Sequence, residues 1–316
     1  MRYVSASEVH DVCEWMVLVE ALAQAHRQEP PQSGRADVTA RVRGTTQTYL
    51  NLPAVLPGVA FGSKLVTVLP DNPDRHPGVP AIQALYALFS GDDGTPLAVI
   101  EGTSLTYRKT AADSALGACL LARHDVGTLV MVGAGGLSPW LARAHLAVRP
   151  ALSRVLVWNR TPHRAEAVAA ELAAEGVNAE AAASLEAAVR QGDVISCCTA
   201  ATEPLVKGEW LKPGAHLDLV GGFTPAMREV DDEAVRRARL FVDAGWNIEE
   251  FGDLIDPVSR GVIARESIEA DLFALCRPGH SIDRGRDEIT LFKNGGGGHL
   301  DLYTALFILK TLGATA

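Results

Sequence analysis

Between Thr128 and Arg164 the chain carries a strand, a glycine turn, a helix and a second strand with a basic end, in that order. Leu129, Val130, Met131 and Val132 form an apolar run too short for an ordinary helix, which reads as a buried parallel strand. Gly133, Ala134, Gly135, Gly136, Leu137 and Ser138 follow, and an alanine-rich helical pattern continues to His145. Such a turn lets backbone amides approach a pyrophosphate, and the free N–H groups and positive dipole end of the helix stabilise its charge. Ser138 departs from the usual fingerprint, which has its third glycine there, but is small enough to keep helix and strand close. The next strand, Arg154 to Trp158, ends in Asn159, Arg160 and Thr161, with Arg164 one turn on. NAD-specific sites carry an acid at this strand end, about 20 residues past the glycines, for the ribose 2′-hydroxyl. A guanidinium instead matches a 2′-phosphate in charge and fork geometry, so the stretch reads as an NADP(H) site. The alternative is a surface turn with two solvated arginines, which the order of the elements disfavours.

A chain of 316 residues is long enough for two domains with ample core. Its net charge of −9 argues against nucleic acid or an anionic membrane as main partner, since both favour a basic face. The five cysteines (Cys13, Cys119, Cys197, Cys198 and Cys276) are odd in number and lack metal-ligand spacing, which fits reduced thiols and no metal site. With no leader pattern and no run of about 18 apolar residues, a cytoplasmic protein is expected.

Ahead of the glycine turn, Ser7 precedes Val9, Val12, Cys13, Met16, Val19, Leu22 and Ala23 at helical spacing, predicting one amphipathic helix capped by Ser7. After a loop leading to Arg35, Asp37 to Val42, Thr46 to Leu52, Phe61 to Leu69, Ile82 to Phe89 and Pro96 to Ile100 have strand character and predict a separate mixed sheet. Lys64 interrupts one of these strands; taken alone, it reads as a charge pointing off an edge. Arg108 and Lys109 fall near the start of an alanine-rich helix, Thr103 to Ala122, where cations oppose the dipole and point to an anion. Beyond the turn, strands alternate with helices as a doubly wound sheet requires. Thr199 and the segment Val220, Gly221, Gly222 and Phe223 end two of these strands, where such sheets receive ligands, and are candidates to line the nicotinamide. Cys197 and Cys198 read as core residues. Gly295 to Gly298 are flexible by composition, and the last helix, Asp301 to Leu312, is apolar on more than one face, predicting a domain or subunit interface.

Three further segments carry a resemblance: Gly62 to Val68 with Leu52-Pro53-Ala54 before it, LTYRKTAADSAL from Leu105, and ATEPLVKGEWLKPGAHLDLVGGFTPAMREVDD from Ala201. With VWNRT from Val157, they identify the chain as a member of the ornithine cyclodeaminase/mu-crystallin family over nearly its whole length. The resemblance implies an α/β protein: a Rossmann doubly wound dinucleotide-binding domain over 122–294, and an α+β substrate and dimerisation domain formed by 1–121 with a return over 295–316. It places Lys64 at the family's active-site lysine, reversing the bland reading. Arg35 falls where the family has a substrate-carboxylate arginine, with Arg41 and Arg43 as alternatives because the spacing needs a small insertion. Lys109 stands where the family usually has arginine and replaces a bidentate fork by a point charge. Arg108 beside it does not share its helix face. Phe223 occupies the position of the catalytic aspartate of ornithine cyclodeaminases, and a phenyl ring does no proton chemistry.

The resemblance therefore implies the reductase branch. The expected reaction is NADPH-dependent reduction of a small cyclic imino acid, Δ1-pyrroline-2-carboxylate or Δ1-piperideine-2-carboxylate, to proline or pipecolate, with NADH as a second donor. Arg35 and Lys109 are expected to hold the carboxylate, Phe223 to pack on the ring, and Lys64 or a water it orders to protonate the nitrogen. An amino-acid dehydrogenase, a cyclodeaminase and a non-catalytic NADPH-dependent binding protein are the alternatives. A homodimer through the first domain's sheet and the last helix is expected.

Overall fold

The computed structural model describes residues 1–313. Along the chain the strands are β1 (Arg2–Val4), β2 (Gln32–Ser33), β3 (Ala36–Val42), β4 (Thr45–Leu56), β5 (Ala60–Val68), β6 (Ile82–Ser90), β7 (Pro96–Glu101), β8 (Thr128–Val132), β9 (Arg154–Trp158), β10 (Ala179–Ala181), β11 (Val194–Cys197), β12 (His216–Leu219), β13 (Ala238–Val242), β14 (Ile268–Asp271) and β15 (Ile289–Lys293). The helices are α1 (Ala6–Val12), α2 (Trp15–Ala25), α3 (Asn72–Arg75), α4 (Gly102–Leu121), α5 (Ser138–Val148), α6 (Pro162–Ala174), α7 (Leu185–Val189), α8 (Asp232–Arg237), α9 (Gly252–Ser259), α10 (Leu272–Leu275) and α11 (Gly298–Thr311). Among the described residues two compact units result, one of residues 1–110 with 296–313 and the other of 111–295, the division falling within α4.

The first unit holds a seven-stranded sheet, ordered β1-β7-β6-β5-β4-β2 with β3 also paired to β4. Arg43 and Gly44, both at positive φ, make the two-residue turn between β3 and β4, the handedness that a tight hairpin prefers. Strand alternation decides which side chains are inside: along β5, Ala60, Gly62, Lys64 and Val66 are buried while Phe61 and Thr67 are exposed. α11 covers the buried face, packing on β4, β5, β6 and α2. The last helix thus returns to the first unit, as expected, and most of its apolar surface is buried there.

The single amphipathic helix expected near the N-terminus is two. Ser5, not Ser7, caps α1 through a reciprocal capping box with Glu8, and Glu14 caps α2 by accepting from Val17 N. Cation repulsion at the start of α4 is also absent: Glu101 accepts from Thr103 N at 2.9 Å and Ser104 N at 2.7 Å. Arg108 and Lys109 lie in its second turn, beyond reach of the dipole end.

The second unit is an eight-stranded, wholly parallel sheet in the order β10-β9-β8-β11-β12-β15-β13-β14. The order reverses at β8, placing the switch point at the carboxyl ends of β8 and β11, where ligands of open α/β sheets bind. Val130, Val132, Leu156, Ile195, Leu217, Leu219 and Leu291 are among its core. β15, which the sequence reading does not anticipate, is buried throughout between β12 and β13.

Candidate active site and nucleotide site

In the second unit the glycine turn follows β8 directly. Gly133 has φ +111°, and a Cβ there would stand 2.8 Å from the Cys198 carbonyl oxygen, so only glycine fits. Gly135 and Gly136 are exposed, a Cβ on Gly135 would meet open space, and α5 begins at Leu137 and Ser138 without a side-chain cap. Those features fit a pyrophosphate. Ser138 is fully buried at the helix start, where a small side chain is accommodated. Burial and the nearby Glu229 carboxylate push the Cys197 and Cys198 thiols up, keeping both protonated and unreactive.

At the end of β9, Asn159 is already engaged: its Oδ1 accepts from Ala134 N at 3.2 Å and its Nδ2 donates to the Thr161 carbonyl at 3.0 Å. It ties the glycine turn to the start of α6. Arg160 and Arg164 are exposed, and among the described residues no carboxylate pairs with either. Thr199 and Val220 end β11 and β12; Val220 N donates to the Cys197 carbonyl at 2.8 Å, holding these ends side by side. Phe223 stands in the loop after Gly221 and Gly222, half exposed.

The first unit gathers a different set. Lys64 Nζ lies 3.1 Å from Oδ1 and 2.9 Å from Oδ2 of Asp301, and Lys109 Nζ lies 3.8 Å from Oδ1. The three side chains are 8, 4 and 0% exposed. Two buried ammoniums share one carboxylate, an excess of one positive charge. Burial lowers the Lys64 pKa below its ordinary value against the pull of Asp301, and Lys109 lowers it further. His299, edge-on to His26 and Tyr303, is held neutral by burial and by the neighbouring His26 and Lys109. The glycine run before α11 is shaped by this cluster rather than simply flexible: a Cβ on Gly296 would stand 2.8 Å from Lys109 Nζ.

Register sets the three arginines at different levels of the sheet. Ser33 pairs with Ala54 and Ala36 with Asn51, which sets Arg35 opposite Leu52, and Leu52 pairs with Lys64. Arg35 and Lys64 therefore share a face and a level two strands apart. Arg41 pairs with Thr46 and Arg43 forms the hairpin turn, both toward the far end of the ribbon. In this structure the Arg35 guanidinium is 47% exposed and paired with Asp37 at 2.9 Å, so it is not gathered with the two lysines. Arg108 donates to His10 and Cys13 carbonyls and stacks on Trp15, anchoring the N-terminal helices. Asp301, which no motif singles out, is the residue sequence reasoning misses; a lone carboxylate in an apolar helix is its signal.

A doubly wound dinucleotide-binding unit on the same chain as an α+β unit carrying a buried cationic cluster defines a nucleotide-dependent oxidoreductase of small anionic molecules. More narrowly, residues 3–313 match the Ornithine cyclodeaminase/mu-crystallin family, and the chain belongs to it. It is 40% identical over 314 residues to a Delta(1)-pyrroline-2-carboxylate reductase of Paracoccus denitrificans, covering 98% of this chain and 97% of that one. It superposes on the Thermococcus litoralis Delta(1)-pyrroline-2-carboxylate reductase in complex with NADH and L-proline with a TM-score of 0.90 at 28% identity, covering 100% and 99% of the two chains. An archaeal alanine dehydrogenase dimer with bound NAD gives a TM-score of 0.87 at 25% identity, covering 99% and 97%.

Proposed function

We propose that this protein is an NAD(P)H-dependent reductase of small cyclic imino acids, converting Δ1-pyrroline-2-carboxylate or Δ1-piperideine-2-carboxylate to proline or pipecolate. The observation that carries the reading is the excess positive charge of Lys64 and Lys109 over Asp301. An uncompensated buried charge is unfavourable by several kcal/mol, and a substrate carboxylate offsets it. Arg35, level with Lys64 on the same face, is the further cation available to that carboxylate once released from Asp37.

The reduced nicotinamide, when bound, supplies the hydride to the C=N carbon. The nitrogen must be protonated for that transfer to be fast, and Lys64 is the candidate donor, directly or through a water, because burial and Lys109 make its ammonium more acidic than a free lysine. Gly133, Gly135, Gly136, Leu137 and Ser138 would hold the pyrophosphate, and Thr199, Val220 and Gly221 the nicotinamide end. Arg160 and Arg164, with Asn159 and Thr161 shaping the turn, favour NADPH over NADH. The names of the pyrroline-2-carboxylate reductases support the substrate class.

A homodimer formed through the outer face of the seven-stranded sheet completes the proposal. Val38, Tyr49, Phe61 and Leu85 point to that face from neighbouring strands and are exposed, apolar surface that a second copy would cover. Following NADPH and NADH oxidation with both cyclic imines, with pyruvate plus ammonia, and with ornithine tests the function. Consumption with the imines is expected; turnover confined to pyruvate, or ammonia released from ornithine, would overturn it.

A further inference from the structure

Glu229 is 1% exposed and sits where β11 and β12 end. Its Oε1 accepts from Thr199 N at 2.7 Å and Thr199 Oγ1 at 2.9 Å, and its Oε2 from Gly221 N at 2.8 Å and Gly222 N at 3.3 Å. One carboxylate thus ties two strand-end loops through four donors. Behind it, Glu229 N donates to Asp253 Oδ1 at 2.7 Å, and Asp253 Oδ2 accepts from Lys293 Nζ at 3.1 Å. The loops are close: a Cβ on Gly221 would collide with the Thr199 carbonyl oxygen. Burying an ionised group is costly, and here the carboxylate is placed at the ligand-receiving end of the sheet with its four donors drawn from the two loops there.

We propose that Glu229 is a positioning residue for hydride transfer: its carboxylate fixes Thr199 and the Gly221–Gly222 backbone, the two loops that receive the nicotinamide end of the dinucleotide. The inference rests on the nucleotide-dependent reading above. The titratable and charged groups facing Glu229 are Asp253 from α9, Lys293 from β15, and Cys197 and Cys198 from the end of β11. Burial and the like charge of Asp253 push the Glu229 carboxyl up to about 7, against the pull of Lys293 and the Thr199 donors. Protonation replaces an acceptor by an O–H donor facing backbone N–H groups, so the tie loosens as pH falls through that range.

The test is amide hydrogen exchange on the ligand-free protein, read beside steady-state kinetics, for wild type and Glu229→Gln. Gln keeps the length but turns one acceptor into an amide donor. Exchange at Thr199, Gly221 and Gly222 should rise about 10-fold or more while β8 stays protected, and kcat should fall with coenzyme Kd changed less. Wild-type kcat should show an acid limb near pH 7 that the variant lacks. Unchanged exchange in both loops, or a kcat loss matched by loosening of the whole unit, would overturn the proposal. If the variant does not fold, wild-type protection factors between pH 6 and 8 decide: they should drop in these two loops alone as pH falls, and a flat profile refutes the tie. Failure of the wild type to reduce a cyclic imine would defeat the functional reading, whereas the exchange result judges the tie itself.

Discussion

Lys64 and Asp301 meet edge to edge, the ammonium 3.1 Å and 2.9 Å from the two carboxylate oxygens, and Lys109 shares the nearer side of the same carboxylate at 3.8 Å. A buried pair is neutral and self-sufficient. A buried triplet with two cations is built around a further anion, and that arithmetic links the fold of the first unit to its chemistry.

If Lys64 delivers the proton, Lys64→Met should lower kcat about 100-fold or more, with NADPH binding retained. A loss confined to KM would assign the lysine to carboxylate anchoring alone. Stability should move the other way: the substitution leaves Asp301 paired with Lys109, so Tm should hold or rise in calorimetry.

The pH dependence follows from the same group. The folded pKa of Lys64 lies below its unfolded value, chiefly through burial, so the unfolded chain binds more protons between the two values. Stability therefore rises with pH across that window, while kcat falls as the ammonium is lost. Asp301→Asn removes the charge that raises the Lys64 pKa, and the alkaline limb of kcat should move to lower pH. A limb that stays in place would show that another group donates the proton.

Arg160→Ala should raise the NADPH KM by about 10- to 150-fold, the worth of a charge-assisted contact, and leave NADH little changed. Equal losses for both coenzymes would mean that the arginine does not contact the 2′-phosphate.

Sedimentation at micromolar concentration should give a dimer of the 33.5 kDa chain, and Leu85→Glu, on the outer sheet face, should shift it toward monomer. A monomeric wild type would contradict the assignment of that face.

The sequence made the second unit legible because its elements announce themselves locally: an apolar run, a glycine turn and an alanine-rich helix are each short-range signals. The lysine cluster is not local. Lys64, Lys109 and Asp301 are brought together by sheet register and a returning helix, and only the resemblance raised Lys64 above a surface charge. Asp301 escaped because α11 reads as uniformly apolar, and Glu229 because it sits in an acidic run, Glu229 to Asp232, that resembles solvated surface. Ser5 was readable: Ser5 and Glu8 have capping-box spacing, a stronger signal than Ser7 alone.

The central claim is that the two lysines await a substrate carboxylate beside an imine. It is tested most directly by comparing kcat/KM for Δ1-pyrroline-2-carboxylate with that for 1-pyrroline, the same ring without the carboxylate. Leaving a buried charge unpaired should cost about 3–5 kcal/mol, so 1-pyrroline should be reduced at least about 100-fold less efficiently. Equal efficiency for the two rings would contradict the account.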